Sequence, residues 1–253
     1  MVERCNILGV RQSATNMPEA VGTIHSWIGK RVARYVCVTS VHGIIESQFD
    51  DALKQIHNHA GLVTPDGMPL VWFMRSEGHK QADRVYGPDL MLEVINHGHD
   101  HGYRHFLYGA SEESLAALQA NLKRRFPKIQ IVGAISPPFR ALTDQESEEI
   151  ANQINASEAD IVWVGLSTPK QERWMAEHRA KLHAPVLVGV GAAFDFHAGR
   201  TRQAPKFLRR SGLEWLFRLI TEPRRLWKRY FTIVPMFICF ATMQKLGIRK
   251  YEA

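Results

Sequence analysis

The segment from Asp160 to Arg200, DIVWVGLSTPKQERWMAEHRAKLHAPVLVGVGAAFDFHAGR, constrains the fold more than any other part of the chain. Ile161–Gly165 and Val186–Val190 are short unbroken apolar runs, the pattern of parallel strands buried on both faces. A helix opening at Thr168-Pro169 separates them. The second run leads through a glycine-bearing turn to a lone acid, Asp195. In open parallel sheets, ligands bind in the crevice at the carboxyl ends of the strands. Two such ends carrying polar turns point to a nucleotide-like ligand at the sheet rim.

The same alternation extends upstream. Strands are predicted at Arg34–Thr39, Arg104–Tyr108 and Ile129–Gly133, with a brief apolar step at Leu62–Thr64. Helices are predicted over Met17–Trp27, Gly43–Ala60, Leu70–Arg75, Pro88–Asn96, Ser111–Phe126 and Thr143–Asn155. Thr143 and Glu146 form a capping-box pattern. Strands alternating with helices of this length imply βαβ units, hence an α/β, Rossmann-like, mostly parallel sheet flanked by helices.

After Gly199 the texture changes. From Arg200 onward there are thirteen Lys and Arg against three acids, while the upstream part holds nineteen basic and twenty-two acidic residues. The net charge of +7 therefore belongs to the tail. The expected organisation is a catalytic core over 1–200 and a basic helical appendage over 201–253. Such asymmetry suits a partner with a negative surface, membrane or nucleic acid. The apolar stretch Phe231–Met243 is 13 residues, short of the ~20 that cross a bilayer, and Pro235 interrupts it. Arg224, Arg225, Lys228 and Arg229 beside Trp227, Tyr230 and Phe231 fit a helix lying in the membrane interface. The alternative is a terminal helix packed on the core with a solvated basic face. No signal peptide is visible, and three scattered cysteines fit a reducing, cytoplasmic setting.

Each polar motif carries two readings. Thr64-Pro65-Asp66-Gly67 is a serviceable β-turn, or it presents Asp66 as a base at a sheet edge. Thr168-Pro169-Lys170-Gln171 is a helix start, with Thr168 as cap, Pro169 at the first position and Gln171 closing a capping box. It equally offers a helix N-terminus to phosphate. Gly189-Val190-Gly191 lacks the third glycine of a dinucleotide fingerprint, and no helix of the right pattern is predicted after it. It suits close approach of a nucleotide, with Asp195 available to a ribose hydroxyl. Arg84, ahead of Gly87-Pro88, is a surface residue or a guanidinium facing a diphosphate. The His97–His101 cluster reads as a solvated helix end rather than a metal site. No Asp-x-Asp pair is present to hold a metal-bound diphosphate, and no P-loop, GxSxG or CxxC motif occurs.

In order along the chain, TPDGMPLVW, RVYGPDLM, DIVWVGLSTPKQERWM, GVGAAFDFHAGR and GLEWLFRLITEPRRLWKRYF closely resemble the WecG/TagA/CpsF family of bacterial glycosyltransferases. The resemblance covers about Val36 to Arg229. It implies a UDP-sugar donor, an undecaprenyl-diphosphate-linked sugar acceptor, inversion at the anomeric carbon, and neither cofactor nor obligatory metal. It also implies an appendage that docks on an anionic membrane surface, on the inner face of the cell membrane. Matched by motif, Asp66 is the expected base, with Thr39, Arg84 and Gln171 in the catalytic pocket. Gly165, Gly189, Gly191 and Asp195 are the expected donor-binding residues, and Arg224 and Arg225 those that meet a diphosphate. Many members read T-x-N after the first strand, whereas this chain reads Thr39-Ser40-Val41-His42-Gly43. That form resembles members building exopolysaccharide repeat units from glucose or glucuronic acid. Two rival readings are a non-catalytic basic protein binding nucleic acid through its tail and a nicotinamide oxidoreductase. The first lacks a recognition motif, and the second a complete glycine fingerprint. The expected partners exclude nucleic acid and leave a homo-oligomer open.

Overall fold

The computed structural model describes residues 2–252; the side chains of Lys206, Arg210 and Arg225 lie outside that description. In chain order the elements are β1 (Arg4–Ile7), β2 (Val10–Ser13), α1 (Met17–Gly29), β3 (Arg34–Thr39), α2 (Val41–Glu46), α3 (Asp51–His59), β4 (Leu62–Pro65), α4 (Met68–Ser76) and α5 (Gly87–Gly98). A 3₁₀ turn, His99–His101, precedes β5 (Arg104–Gly109), α6 (Glu112–Arg125), β6 (Gln130–Ile135), α7 (Asp144–Ala156), β7 (Ile161–Gly165), α8 (Lys170–His178), β8 (Val186–Gly189) and α9 (Ala193–His197). Three helices finish the chain: α10 (Lys206–Arg210), α11 (Glu214–Thr221) and α12 (Pro223–Lys245).

Six strands in the order β4-β3-β8-β7-β5-β6 form a parallel, Rossmann-like sheet, and β1 with β2 forms a separate antiparallel ribbon. The chain divides into two compact units. One comprises Met1–Asn16, Thr39–Tyr86 and Gln203–Ala253, and the other Met17–Val38 and Gly87–Arg202. Residues 203 onward thus share a unit with the β1–β2 ribbon and helices α2 to α4.

In the second unit, burial explains the strand sequences. Ile161, Val162, Trp163, Val164, Val186, Leu187 and Val188 are all fully buried. Trp163 satisfies its one polar group by donating from Nε1 to His105 Nδ1 at 3.1 Å. From β5 the chain crosses through α6 to β6 on one side. From β7, the neighbour of β5, it crosses through α8 to β8 on the other. Connections leaving two adjacent strands in opposite directions open a crevice at their carboxyl ends, the usual ligand position in such sheets. Gly109 and Gly165 face each other there in register. Gly109 has φ +126°, and a Cβ on it would lie 2.6 Å from the Gly165 carbonyl. Only glycine fits.

In the first unit, the helix predicted over Gly43–Ala60 is broken into α2 and α3. The cause is Asp50, whose carboxylate accepts the Leu53 N–H at 2.9 Å and starts a new helix. Gln48 assists by donating to the carbonyls of Ile44 and Leu8. A short polar side chain competing for backbone groups outweighs the helical pattern here. The TPDG segment is likewise not a free turn: Thr64 and Pro65 belong to β4, and Gly67 caps α4. The terminal helix α12 runs unbroken through Pro235. Leu226, Ile233 and Phe237, on one stripe of it, are buried. Its end is tied to the ribbon, since Gln244 accepts from the Leu8 N–H at 2.8 Å and donates to the Asn6 carbonyl at 2.8 Å. Among the described residues, no helix is long and apolar enough to cross a membrane.

Candidate functional site

The residues singled out in the sequence fall into two groups, one in each unit. In the first unit, Thr39 ends β3 and is almost fully buried; its carbonyl accepts the Asp66 N–H at 3.0 Å. Its methyl leaves no room at position 43, where a Cβ would lie 2.9 Å from Thr39 Cγ2. Gly43 in the VHG segment is therefore required by packing. His42 lies 3.4 Å from Glu46, but burial first and then the charge of Arg229 push its pKa down to about 4, so the imidazole beside this carboxylate is neutral near pH 7.

Asp66 stands between β4 and α4, its side chain about a quarter exposed. Arg84 encloses it. The Arg84 Nε–H donates to the Asp66 carbonyl, and Nη2 lies 3.6 Å from the Asp66 carboxylate. The rest of the guanidinium is engaged as well. Nη1 donates to the Arg209 carbonyl at 3.0 Å, and Nη2 pairs with Glu214 on α11. Burial opposes the Arg84 charge, but the Asp66 and Glu214 carboxylates outweigh it and hold its pKa above the ordinary value. The Tyr86 ring lies under two cations, 4.4 Å from Arg84 Cζ and 5.0 Å from Arg209 Cζ. This arrangement fixes one carboxylate at a strand end against a cation that cannot swing away. Such a group can receive a proton from a hydroxyl. Arg224 is exposed in the first turn of α12, and the Arg225 side chain lies outside the described residues.

In the second unit, Gly165, Gly189, Gly191, Gln171 and Asp195 gather at the carboxyl ends of β7 and β8. Packing accounts for two of the glycines. The space for a side chain at Gly165 is filled by the Phe194 ring, and that at Gly189 by Met175 and Gln171. Gly191 adopts φ +54° and directs its N–H to Gln171 Oε1 at 3.0 Å. The capping box expected of Gln171 does not form. Pro169 occupies the cap position, and the Gln171 amide is engaged by Gly191 and Glu172 instead. Thr168 donates to the Glu172 carboxyl at 3.0 Å. A five-residue helix, α9, follows the Gly189–Gly191 turn and carries Asp195, which accepts from the Ser114 hydroxyl at 3.0 Å. The turn is thus rigidly held, with a carboxylate beside it suited to a vicinal diol.

Four participants escaped the sequence reading. Gly109 sits where a strand meets a helix cap, a recognisable signal. Glu172 adjoins Gln171 in PKQERW but looks like an ordinary first-turn acid. Glu214 and Arg209 lie more than 120 residues from Arg84, and no local pattern joins them.

A family model, described as the glycosyl transferase WecG/TagA/CpsF family, matches residues 5–251. An N-acetylglucosaminyldiphosphoundecaprenol N-acetyl-beta-D-mannosaminyltransferase of Bacillus spizizenii is 31% identical over 188 residues, covering 74% of this chain and 71% of the relative. The protein of the same description from Staphylococcus aureus is 26% identical over 251 residues, covering 98% and 95%. A match running almost from end to end makes this chain a member of the WecG/TagA/CpsF family of glycosyltransferases.

Proposed function

We propose that the chain transfers a hexose from a UDP-sugar, with inversion, to a sugar carried on polyprenyl diphosphate at the inner face of the cell membrane. The observation that carries this reading is the Asp66 carboxylate held at the end of β4 by Arg84, in a chain whose relatives are described as acting on N-acetylglucosaminyldiphosphoundecaprenol. In a single displacement the acceptor hydroxyl oxygen attacks the anomeric carbon. The bond to the UDP oxygen breaks, UDP leaves with the electron pair, and the hydroxyl proton passes to Asp66. Such base assistance contributes typically ~10²–10⁴-fold. Charge developing on the leaving diphosphate is met by Arg224, Arg225 and backbone N–H groups, with no obligatory metal ion. The uridine occupies the Gly189–Asp195 turn, its ribose diol on Asp195.

The acceptor is a membrane lipid, and the first unit carries an apolar surface suited to reaching it. Among the described residues, every large exposed apolar residue except Phe139 lies in that unit. On α12, Trp227, Phe231 and Ile238 form an outward stripe, flanked by Arg224 and Lys228. This is the composition of an interfacial helix on an anionic bilayer.

The test is transfer from labelled UDP-N-acetylmannosamine, UDP-glucose and UDP-glucuronic acid to lipid-diphosphate-linked N-acetylglucosamine and lipid-diphosphate-linked glucose, with and without a chelator. One productive pair, unaffected by the chelator, is expected. Absence of transfer from every donor, together with no UDP binding by calorimetry, would defeat the reading.

A further inference from the structure

Beside the turn assigned above to the nucleotide lies a carboxyl group with no evident task. Glu172 is fully buried on α8. Its Oε1 takes two hydrogen bonds, from the Thr168 hydroxyl and from Gln171 Nε2, each 3.0 Å. Its Oε2 has no hydrogen-bond partner among the described residues. Burying such a group is unfavourable, and an apolar residue of the same size usually suits an interior better. Its presence there calls for a reason found in what it touches.

That reason is the orientation of an amide. The two ends of a glutamine side chain have nearly the same shape but opposite hydrogen-bonding character. Gln171 must present its oxygen to the Gly191 N–H, because the nitrogen end would set donor against donor. Nothing in the Gln171 side chain itself enforces that choice. Glu172 Oε1, an acceptor, draws the amide nitrogen to itself and so turns the oxygen toward Gly191. Thr168, bonded to the same oxygen, anchors the carboxyl in turn. We propose that Glu172 is a positioning residue for the donor site: through Gln171 it fixes the Gly189–Gly191 turn in the conformation that receives the nucleotide. The proposal rests on the reading that this turn holds UDP. Burial also pushes the Glu172 carboxyl above its ordinary range, toward the neutral acid, against the opposing effect of its hydrogen bonds. A neutral acid offers a carbonyl oxygen and one donor, which a glutamine side chain reproduces.

The experiment uses the full chain and three principal variants, each checked for cooperative thermal unfolding. UDP affinity is measured by calorimetry, and kcat and KM for donor and acceptor by transfer assay. Glu172→Leu keeps the volume but frees the amide. It is expected to raise the UDP Kd and the donor KM about ten-fold, the size of one lost backbone hydrogen bond, with acceptor KM unchanged. Glu172→Gln is expected to restore UDP affinity to within about two-fold of the parent, matching a donor-plus-acceptor pair in place of the acid. Gln171→Ala reports on the site itself. If Gln171→Ala weakens UDP while Glu172→Leu does not, the positioning role is overturned and the donor site stands. If Gln171→Ala leaves UDP binding unchanged, the nucleotide reading of the turn has failed instead. Should Glu172→Leu not fold, Glu172→Gln decides alone: a ten-fold loss of UDP affinity in that folded variant overturns the proposal. Thr168→Val, which removes only the anchor, is then expected to give an intermediate loss.

Discussion

Glu214 and Arg84 form an ion pair across 130 positions of sequence, and both side chains are nearly buried. Through it, helix α11 of the C-terminal region contributes directly to the surroundings of Asp66. Arg84 has no slack: its Nε, Nη1 and Nη2 all meet protein acceptors. In this geometry Arg84 holds Asp66, and Glu214 in turn holds Arg84.

Asp66→Asn keeps the size of the side chain and removes its basicity. Turnover with saturating donor and acceptor should fall ~10²–10⁴-fold while UDP affinity holds. Near-parental turnover would remove Asp66 from the base role. Glu214→Gln should lower turnover less than Asp66→Asn does. It should also destabilise the fold by about 3 kcal/mol, because it leaves a buried guanidinium short of its counter-charge. Urea unfolding of the two variants side by side checks the contrast. Equal stability of Glu214→Gln and the parent would show the pair to be ornamental.

Gly109 gives a test of the sheet rim that is independent of catalysis. Its backbone lies in the left-handed region, and a methyl group would press on the Gly165 carbonyl at 2.6 Å. The obstacle is backbone and cannot swing aside. Gly109→Ala should therefore cost about 1–3 kcal/mol through strain. An unchanged denaturation midpoint would show that β5 and β7 do not end as described.

What could be read from the chain and what could not follows from the range of the forces involved. Ile161–Gly165 and Val186–Val190 declared themselves because strands covered on both faces need no alternation, and the second ends one residue early, at Gly189. Thr143 and Glu146 declared a helix start because a capping box is complete within four residues, and both of its bonds are present. Asp50 and Gln171 misled because their side chains have several local partners to choose from, and the choice is made by Leu53 in one case and by distant Gly191 in the other. Glu172 looks like any first-turn acid until its burial is known. The Arg84 cluster depends on residues 209 and 214, which only the folded chain brings near. The family motifs pointed to Asp66 and Gln171 without showing what holds either of them.

Two fully buried histidines, with the part-buried His42, lower stability in acid. Burial pushes His57 and His105 from 6.5 down to about 4, so both are neutral in the folded chain. The unfolded chain takes up those protons below 6.5. Stability is therefore intact above that pH and is lost as pH falls toward 4, by at most ~3 kcal/mol for each group. Glu172 acts in the opposite sense. Its raised value means that the folded chain retains a proton the unfolded one releases, so its contribution declines as pH rises beyond 4.5. Urea midpoints measured from pH 4 to 8 should rise with pH, and rise more steeply in Glu172→Gln. A midpoint flat from pH 6.5 to 4.5 would contradict the neutral, buried histidines.

The proposed membrane-facing role of α12 is tested by substitution, because deletion would strip away Leu226, Ile233 and Phe237, which are buried, and the Gln244 ties to the ribbon. Phe231 is 71% exposed and Ile238 60% exposed, on the opposite stripe. Replacing both with Glu adds charge to a face that touches little protein, so stability should stay within about 0.5 kcal/mol of the parent. Leu226→Ala, on the buried stripe, should cost about 2–5 kcal/mol. If the outward face lies in a bilayer, Phe231→Glu with Ile238→Glu abolishes pelleting with phosphatidylglycerol vesicles and cuts transfer to the lipid-linked acceptor, while UDP affinity is untouched. Pelleting should also weaken as salt rises, since Arg224, Lys228 and Arg229 act over a screened distance of about 10 Å at 0.1 M. A double variant that still pellets like the parent would mean that the stripe faces something other than lipid.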